Sequence, residues 1–275
     1  PAGMGEAVRG MEAVVHLAAY YTFAGRKALY QRLNVDATAA LVDACKEQGV
    51  GHFVYCSSTE AIGPVHGIGD ETAELHPQFE YGRSKVRAEQ KVRERAGTSL
   101  PWTIVRPSGI YGPGNVDDVS FWTIVSYGKS SATRRVVGSG KNLIQFVHAK
   151  DVARAFRLTL ETGKVAKGQI YIVSDDRAYT YEEIYMLLSE LKGVPPPPGH
   201  IPAVLAKALI APVQLLDRLR GRDNFLMRTS TVDVLTSDRA YSIDKARRDL
   251  GYVPQIDLRR GLEDTISWYR RNGFL

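Results

Sequence analysis

Four short apolar runs, separated by stretches with helical periodicity, constrain this chain more than any other feature. The runs lie at 13–17, 53–56, 102–105 and 170–173. They are largely apolar rather than alternating, as expected for strands covered on both faces. Between the first two, Leu29, Leu33, Ala37, Ala40, Leu41 and Ala44 share one face of a helix that Gly49 would end. Residues 81–95 have a charged helical pattern, and 151–162 read as another helix. Thr180 and Glu183 form a capping box for a helix running to Leu191. Strands alternating with helices predict an α/β fold of the doubly wound type, a parallel sheet with helices on both faces. After Gly193 the alternation stops. Four prolines at 195–198 make an extended linker, and helical patterns follow at 201–219, 244–250 and 258–271. Two parts result: residues 1–178 with the sheet, and residues 179–275, mainly helical, capping one end of it.

A chain of 275 residues can bury a sizeable core, and 44% apolar with 24% charged residues is ordinary for a globular protein. The two cysteines, Cys45 and Cys56, sit in apolar surroundings without metal-ligand spacing. They favour a reducing compartment over a disulfide scaffold, and no metal site is expected. No apolar run reaches the ~20 residues that span a bilayer, and no signal-peptide pattern precedes the first strand. A cytoplasmic location is expected. The net charge of +6 includes arginine pairs at 134–135, 247–248, 259–260 and 270–271, with Arg218, Arg220 and Arg222 forming another group. These read either as a nucleic-acid surface or as solvated helix faces. They are dispersed, with no aromatic–basic platform or helix-turn-helix pattern, so no nucleic-acid partner is expected.

Two motifs carry chemistry. Tyr81 and Lys85 are four residues apart and share a helix face. A tyrosine hydroxyl has a pKa near 10, which a neighbouring ammonium lowers. Such a tyrosine can exchange a proton with a substrate hydroxyl. By itself the spacing also occurs on ordinary helix surfaces. The second motif, Cys56-Ser57-Ser58-Thr59, follows a buried strand directly. Its hydroxyls therefore lie at the carboxyl end of a strand, where open α/β sheets bind ligands. A serine there can hold a substrate oxygen, or simply close a turn. Ser58 and Tyr81 together are more specific than either.

His16-Leu17-Ala18-Ala19, Asn34-Val35, 53–58, 81–85 and Arg106-Pro107-Ser108-Gly109-Ile110-Tyr111-Gly112-Pro113 occur in an order and spacing that resemble the NAD-dependent epimerase/dehydratase family. This is the extended branch of the short-chain dehydrogenases. The segments 146–153 and 250–254 extend the likeness, which runs from Ala13 to Phe274. The resemblance implies an NAD- or NADP-dependent enzyme acting on a small molecule. Tyr81 would be its acid/base, Lys85 the group that tunes Tyr81 and holds the ribose, and Ser58 the ligand of the substrate oxygen. His16, Leu17, Ala18, Ala19, Asn34, Ser57, Tyr81 and Lys85 would line the cofactor, and Pro107, Ser108 and Gly109 the nicotinamide end. Asn34 would be the family's helix asparagine, with a structural rather than a catalytic part, and His148 and Asp151 match a structural motif. The choice between NAD and NADP depends on a residue after the second strand, which the resemblance does not locate in this chain.

Within the family, dehydratases carry Thr-Asp-Glu where this chain has Ser58-Thr59-Glu60, so their aspartate is absent. Nucleotide-sugar epimerases usually carry an arginine where this chain has Ile144, followed by Gln145. Residues 57–63, the helix from Ile201 and the ending with Trp268 and Tyr269 are similar to the 3β-hydroxysteroid and sterol dehydrogenase branch. The expected activity is hydride transfer at a hydroxyl or ketone carbon of a hydrophobic, sterol-like alcohol. The alternatives are a nucleotide-sugar epimerase and a non-catalytic NAD(P)-binding sensor.

Two further expectations concern the ends of the chain. The likeness begins at the family's fourth strand, and Gly3-x-Gly5 is a poor pyrophosphate fingerprint. A truncated nucleotide-binding domain lacking strands one to three is therefore expected, poorly stable, inactive by itself and without measurable nicotinamide binding. Residues 201–219 carry Val204, Leu205, Leu209, Ile210, Val213 and Leu216, followed by the basic group at 218–222. The segment 201–222 suits peripheral membrane contact, or else burial against the domain or a partner subunit in a homodimer.

Overall fold

In the computed structural model, which describes residues 3–22, 25–116, 119–220 and 228–275, the four apolar runs form one parallel sheet. Its strands are β1 (Ala13–His16), β2 (His52–Cys56), β3 (Trp102–Pro107) and β4 (Gln169–Val173), side by side in that order. The register sets Val14 beside Phe53, Val54 beside Thr103 and Ile104 beside Ile170. Parallel neighbours need long crossovers. Helices α1 (Ala37–Glu47), α2 (Glu80–Ala96) and α3 (Ala149–Glu161) lie within them.

The period of two along each strand divides the core. Phe53, Tyr55 and Ile104 pack with Val42 and Cys45 of α1 and with Ala88 and Val92 of α2. Val54, Val105 and Ile172 face the other way. They meet Val152, Ala155 and Phe156 of α3, together with Ala246 and Leu250. Both faces of β2 and β3 are covered, which is why their sequences show no alternation.

The helix expected to run unbroken through 29–44 is interrupted. A short helix at Lys27–Tyr30 passes into a π-helical segment, Gln31–Asp36, before α1 begins. The wider turn rotates the buried face away from the one a 3.6-residue period predicts. Leu33 is consequently exposed. Tyr30, Asn34, Val35, Thr38, Ala39, Val42 and Cys45 are buried instead.

The C-terminal part is helical, as expected. It contains α4 (Tyr181–Lys192), α5 (Ala203–Leu219), α6 (Asp244–Leu250) and α7 (Leu258–Arg271). The Thr180–Glu183 capping box is present at the start of α4, and Gly193 ends that helix in the left-handed region. A second core joins Ile184 and Leu188 to Leu262, Ile266 and Tyr269, over Phe121 and Ile124. His148 Nδ1 accepts the backbone N–H of Lys150 at the start of α3. The Asp151 carboxylate accepts those of Gln255 and Ile256. Both side chains therefore fasten loops to helices.

The first turn of α2 rests directly on the turn that follows β2. A Cβ at Gly82 would stand 2.2 Å from the Glu60 carbonyl oxygen, a backbone atom that cannot swing away. The substitution Gly82→Ala is expected to lower stability by about 1–3 kcal/mol, the usual cost of overpacking. Urea unfolding of the two proteins checks this; equal midpoints would mean that the contact yields without cost.

Candidate active site

The carboxyl ends of β2 and β3, the start of α2 and the C-terminal helices enclose a cavity of about 1000 Å³. Of the residues expected to act or to bind cofactor, Leu17, Ala19, Ser57, Ser58, Tyr81, Lys85, Pro107, Ser108 and Gly109 line it. His16, Ala18 and Asn34 do not.

The two serines after β2 are put to different uses. Ser57 continues the strand ladder through its N–H to Val105 O (2.7 Å), and its hydroxyl turns inward to Glu89 Oε1 at 2.5 Å. Ser58 is an N-cap with extended backbone. It is half-buried, and its Oγ accepts the N–H of Glu60 at 3.1 Å. Only Ser58 can still offer its hydroxyl proton to a ligand.

Lys85 is almost fully enclosed. One ammonium proton goes to Cys56 O at 2.7 Å. The nitrogen stands 4.9 Å from the Tyr55 ring centre and 5.6 Å from that of Tyr81. An ammonium has three donors, so two remain without an oxygen partner among the described residues. Burial lowers its pKa, against the opposing pull of Cys56 and Glu89. The Tyr81 ring packs edge-on against Tyr21, centroids 4.8 Å apart. Burial pushes its phenol well above the usual tyrosine range, with Cys56, Glu60 and Tyr30 adding to the effect. Desolvation is the largest cause, and the shift runs opposite to what spacing alone predicts. In this state Tyr81 holds its proton firmly.

Glu89 lies one turn beyond Lys85 and is fully buried. Arg106 grips it twice, Nε to Oε1 at 2.9 Å and Nη2 to Oε2 at 2.7 Å. Helical spacing from Lys85 could have singled out Glu89. Glu60, Tyr181, Tyr185, Arg239 and Tyr241 also line the cavity, and sequence reasoning did not place them there. Arg239 is 179 residues from Glu60 and makes an ion pair with it at 2.5 Å; no local pattern announces such a contact.

The expected cofactor-loop residues fall into two groups. Leu17 and Ala19 face the cavity, whereas His16 binds Thr38 Oγ1 at 3.0 Å beneath it. Asn34 spends its amide on both backbone groups of Tyr20 and on Ser84 Oγ, tying the loop after β1 to α2. Ser108 Oγ is paired with Ser174 Oγ. Among the described residues no cluster of metal-ligating side chains occurs. The residues fit the nicotinamide-riboside end of a dinucleotide. Lys85 has unspent donors that could take ribose hydroxyls, and Pro107, Ser108 and Gly109 line the same cavity.

Residues 4–174 match the NAD dependent epimerase/dehydratase family. Short-chain dehydrogenase/reductase family 42E member 1 of Bos taurus is 33% identical, over 94% of this chain and 71% of that protein. The 3beta-hydroxysteroid-dehydrogenase/decarboxylase isoform 1 of Arabidopsis thaliana is 29% identical, over 94% of this chain and 62% of its own length. The structure of MoeE5 in complex with UDP-glucuronic acid and NAD superposes with a TM-score of 0.74 at 25% identity, covering 98% of this chain and 82% of that one.

Burial holds the imidazoles of His16 and His52 down to about 4, helped by the charges of Lys85 and Lys167 respectively. The unfolded chain takes up these protons below about pH 6.5, and the folded one only near pH 4. Their contribution to stability is thus complete above pH 6.5 and is lost as pH falls from there toward 4. His52 alone should account for about 3 kcal/mol. Urea unfolding across this window checks it, with His52→Gln expected to flatten the slope.

Proposed function

The chain belongs to the NAD dependent epimerase/dehydratase family, and we propose that it interconverts a secondary alcohol and a ketone on a hydrophobic, sterol-like substrate. The reading rests above all on Lys85, a buried ammonium with unspent donors between the Tyr55 and Tyr81 rings. In the direction of oxidation, bound NAD would take the hydride from the carbinol carbon. Ser58 Oγ donates a hydrogen bond to the substrate oxygen and fixes its distance from Tyr81. Tyr81 Oη receives the hydroxyl proton in oxidation and returns it in reduction. Lys85 holds ribose hydroxyls and favours the phenolate once the cavity is filled. Because the phenol is held above its usual range, oxidation should speed up with rising pH, and reduction should be favoured near neutrality.

We read residues 1–178 as the nucleotide-binding part and 179–275 as the substrate-binding region. In support, the cavity takes Lys85 and Gly109 from the first and Tyr181, Ile184, Val234 and Leu235 from the second. The apolar lining favours a hydrophobic substrate. The relatives point the same way, one being named a hydroxysteroid dehydrogenase. A nucleotide-sugar substrate is less well served. Ile144 lines the cavity where such enzymes were expected to offer an arginine.

Helix α5 bears on partners. Gln214 and Asp217 face the cavity, while Val204 (81% exposed), Leu205, Leu209, Val213 and Leu216 are open to solvent. Burial within the chain therefore does not account for them. Arg222 and the side chain of Arg218 lie outside the described residues. Among the described residues no helix is long and apolar enough to cross a membrane. We infer that the described part of this segment, 201–220, lies on a membrane surface beside the cavity, with homodimer packing on the same face as the competing use.

Turnover by the full-length protein on a panel of 3β-hydroxysteroids, long-chain secondary alcohols and nucleotide sugars tests the activity. Tyr81→Phe should cut kcat by about 10²–10⁴-fold and leave NADH binding unchanged. Lys85→Ala should weaken both. Activity retained in Tyr81→Phe would remove the proposed mechanism, and cofactor binding without turnover would support the sensor reading. For α5, flotation with anionic liposomes should carry the protein at low salt. A protein that stays in solution as a dimer would assign the face to a second copy.

A further inference from the structure

Arg239 stands apart from the residues given a part in the reaction, yet it meets both segments that carry them. Its side chain is almost fully buried at the cavity wall. Nη1 bonds Glu60 Oε1 at 2.5 Å, and Nη2 bonds Gln78 Oε1 at 2.6 Å. Glu60 is two residues after Ser58, and Gln78 is three before Tyr81. One planar guanidinium thus joins the turn leaving β2 to the turn entering α2.

The base of this bridge is fixed from several sides. Arg239 N donates to Leu143 O, and Arg239 O accepts from Gln145 N. Two residues on, Tyr241 N donates to Gln145 Oε1, and Tyr241 Oη reaches Gly63 O at 2.6 Å. The two bridged turns also touch backbone to backbone. A Cβ at Gly63 would come within 2.2 Å of His76 O, and one at Gly82 equally close to Glu60 O. These contacts set how far Ser58 and Tyr81 can approach. The guanidinium stops them from separating.

We propose that Arg239 is a positioning residue, which holds Ser58 and Tyr81 at working distance and compensates the Glu60 carboxylate beside the reacting hydroxyl. The proposal rests on the reading of Ser58 and Tyr81 as the reacting pair. It assigns to the substrate-binding region a direct hold on the reaction centre: Val234 and Leu235, which line the same cavity, lead within a few residues to Arg239. A purely structural ion pair would serve stability alone. Position next to the acid/base makes a different demand. Tyr81 is faced by Lys85 from its own helix, by Tyr55 and Cys56 from β2, by Glu60 from the turn, by Tyr30 from the helix 27–30, and by Tyr21 from the loop after β1. Glu60 is the carboxylate among them and raises the phenol pKa. Arg239 neutralises that carboxylate at contact distance. A lysine in its place keeps the charge but reaches one partner, not two.

The test separates charge from bridging. With 3,5-difluorotyrosine introduced at Tyr81, fluorine NMR follows the phenol titration in an accessible range without any turnover. Arg239→Gln should move the titration upward by about one unit, as an uncompensated neighbouring carboxylate does. Adding Glu60→Gln should bring it back. Arg239→Lys should leave the titration near its original position. In steroid turnover with NAD, Arg239→Lys should lower kcat at least tenfold while KM for NAD changes less than twofold. A titration indifferent to Arg239→Gln in a folded protein would overturn the proposal, and so would full kcat in Arg239→Lys. Failure of the reaction reading itself would show separately, as turnover that survives Tyr81→Phe.

Discussion

Everything around the cavity is built on a carboxylate that water does not reach. Glu89 is fully buried, and its two oxygens take three hydrogen bonds, two from Arg106 and one from Ser57. This joins β2, β3 and α2 behind the site. A buried ion pair adds little net stability, but losing one partner costs about 3–5 kcal/mol. Its value lies in allowing a single arrangement. Ser57 must turn inward to complete the carboxylate's shell, which leaves Ser58 to face the cavity. Glu89 also lies one helical turn from Lys85 and supports its charge. One buried group thus settles which serine is available and, with Cys56, opposes the fall that burial imposes on the lysine's pKa.

The same low polarity explains the state of Tyr81. In a solvated helix an ammonium four residues away would lower the phenol pKa, but in this wall desolvation acts on the phenolate first. The wall also holds Cys56, whose thiol is likewise raised by burial. A site of this kind stores its proton until something polar enters. Ribose hydroxyls and a substrate oxygen would supply the hydrogen bonds that the phenolate lacks, so filling the cavity and readying the base are coupled.

Much of this was legible in the sequence, because the relevant signals are local. Strands β1 to β4 announce themselves as apolar runs, and Tyr81 and Lys85 as neighbours on a helix. The capping box at Thr180 and Glu183 needs only four residues to be recognised. What escaped has two physical causes. The π-helical segment at Gln31–Asp36 changes the periodicity on which pattern reading relies, so Leu33 was put on the buried face and Asn34 was not. The bridge from Arg239 to Glu60 and Gln78 closes loops of 179 and 161 residues. No spacing rule reaches that far.

That long closure also bears on how the two parts of the chain act together. A C-terminal part that merely covered the sheet would share apolar packing with it and little else. This one reaches in with a charged side chain and with Tyr241, whose hydroxyl ends on Gly63. Both grasp the turns beside Ser58 and Tyr81 rather than the sheet. Apolar packing tolerates small slides between surfaces, whereas a guanidinium bonded to two separate acceptors does not. A hydrophobic substrate offers the site few polar handles of its own. On the proposed reading, accurate placement of its single reacting oxygen must then come from the protein, and a rigid link from the pocket wall to Ser58 and Tyr81 is one way to provide it.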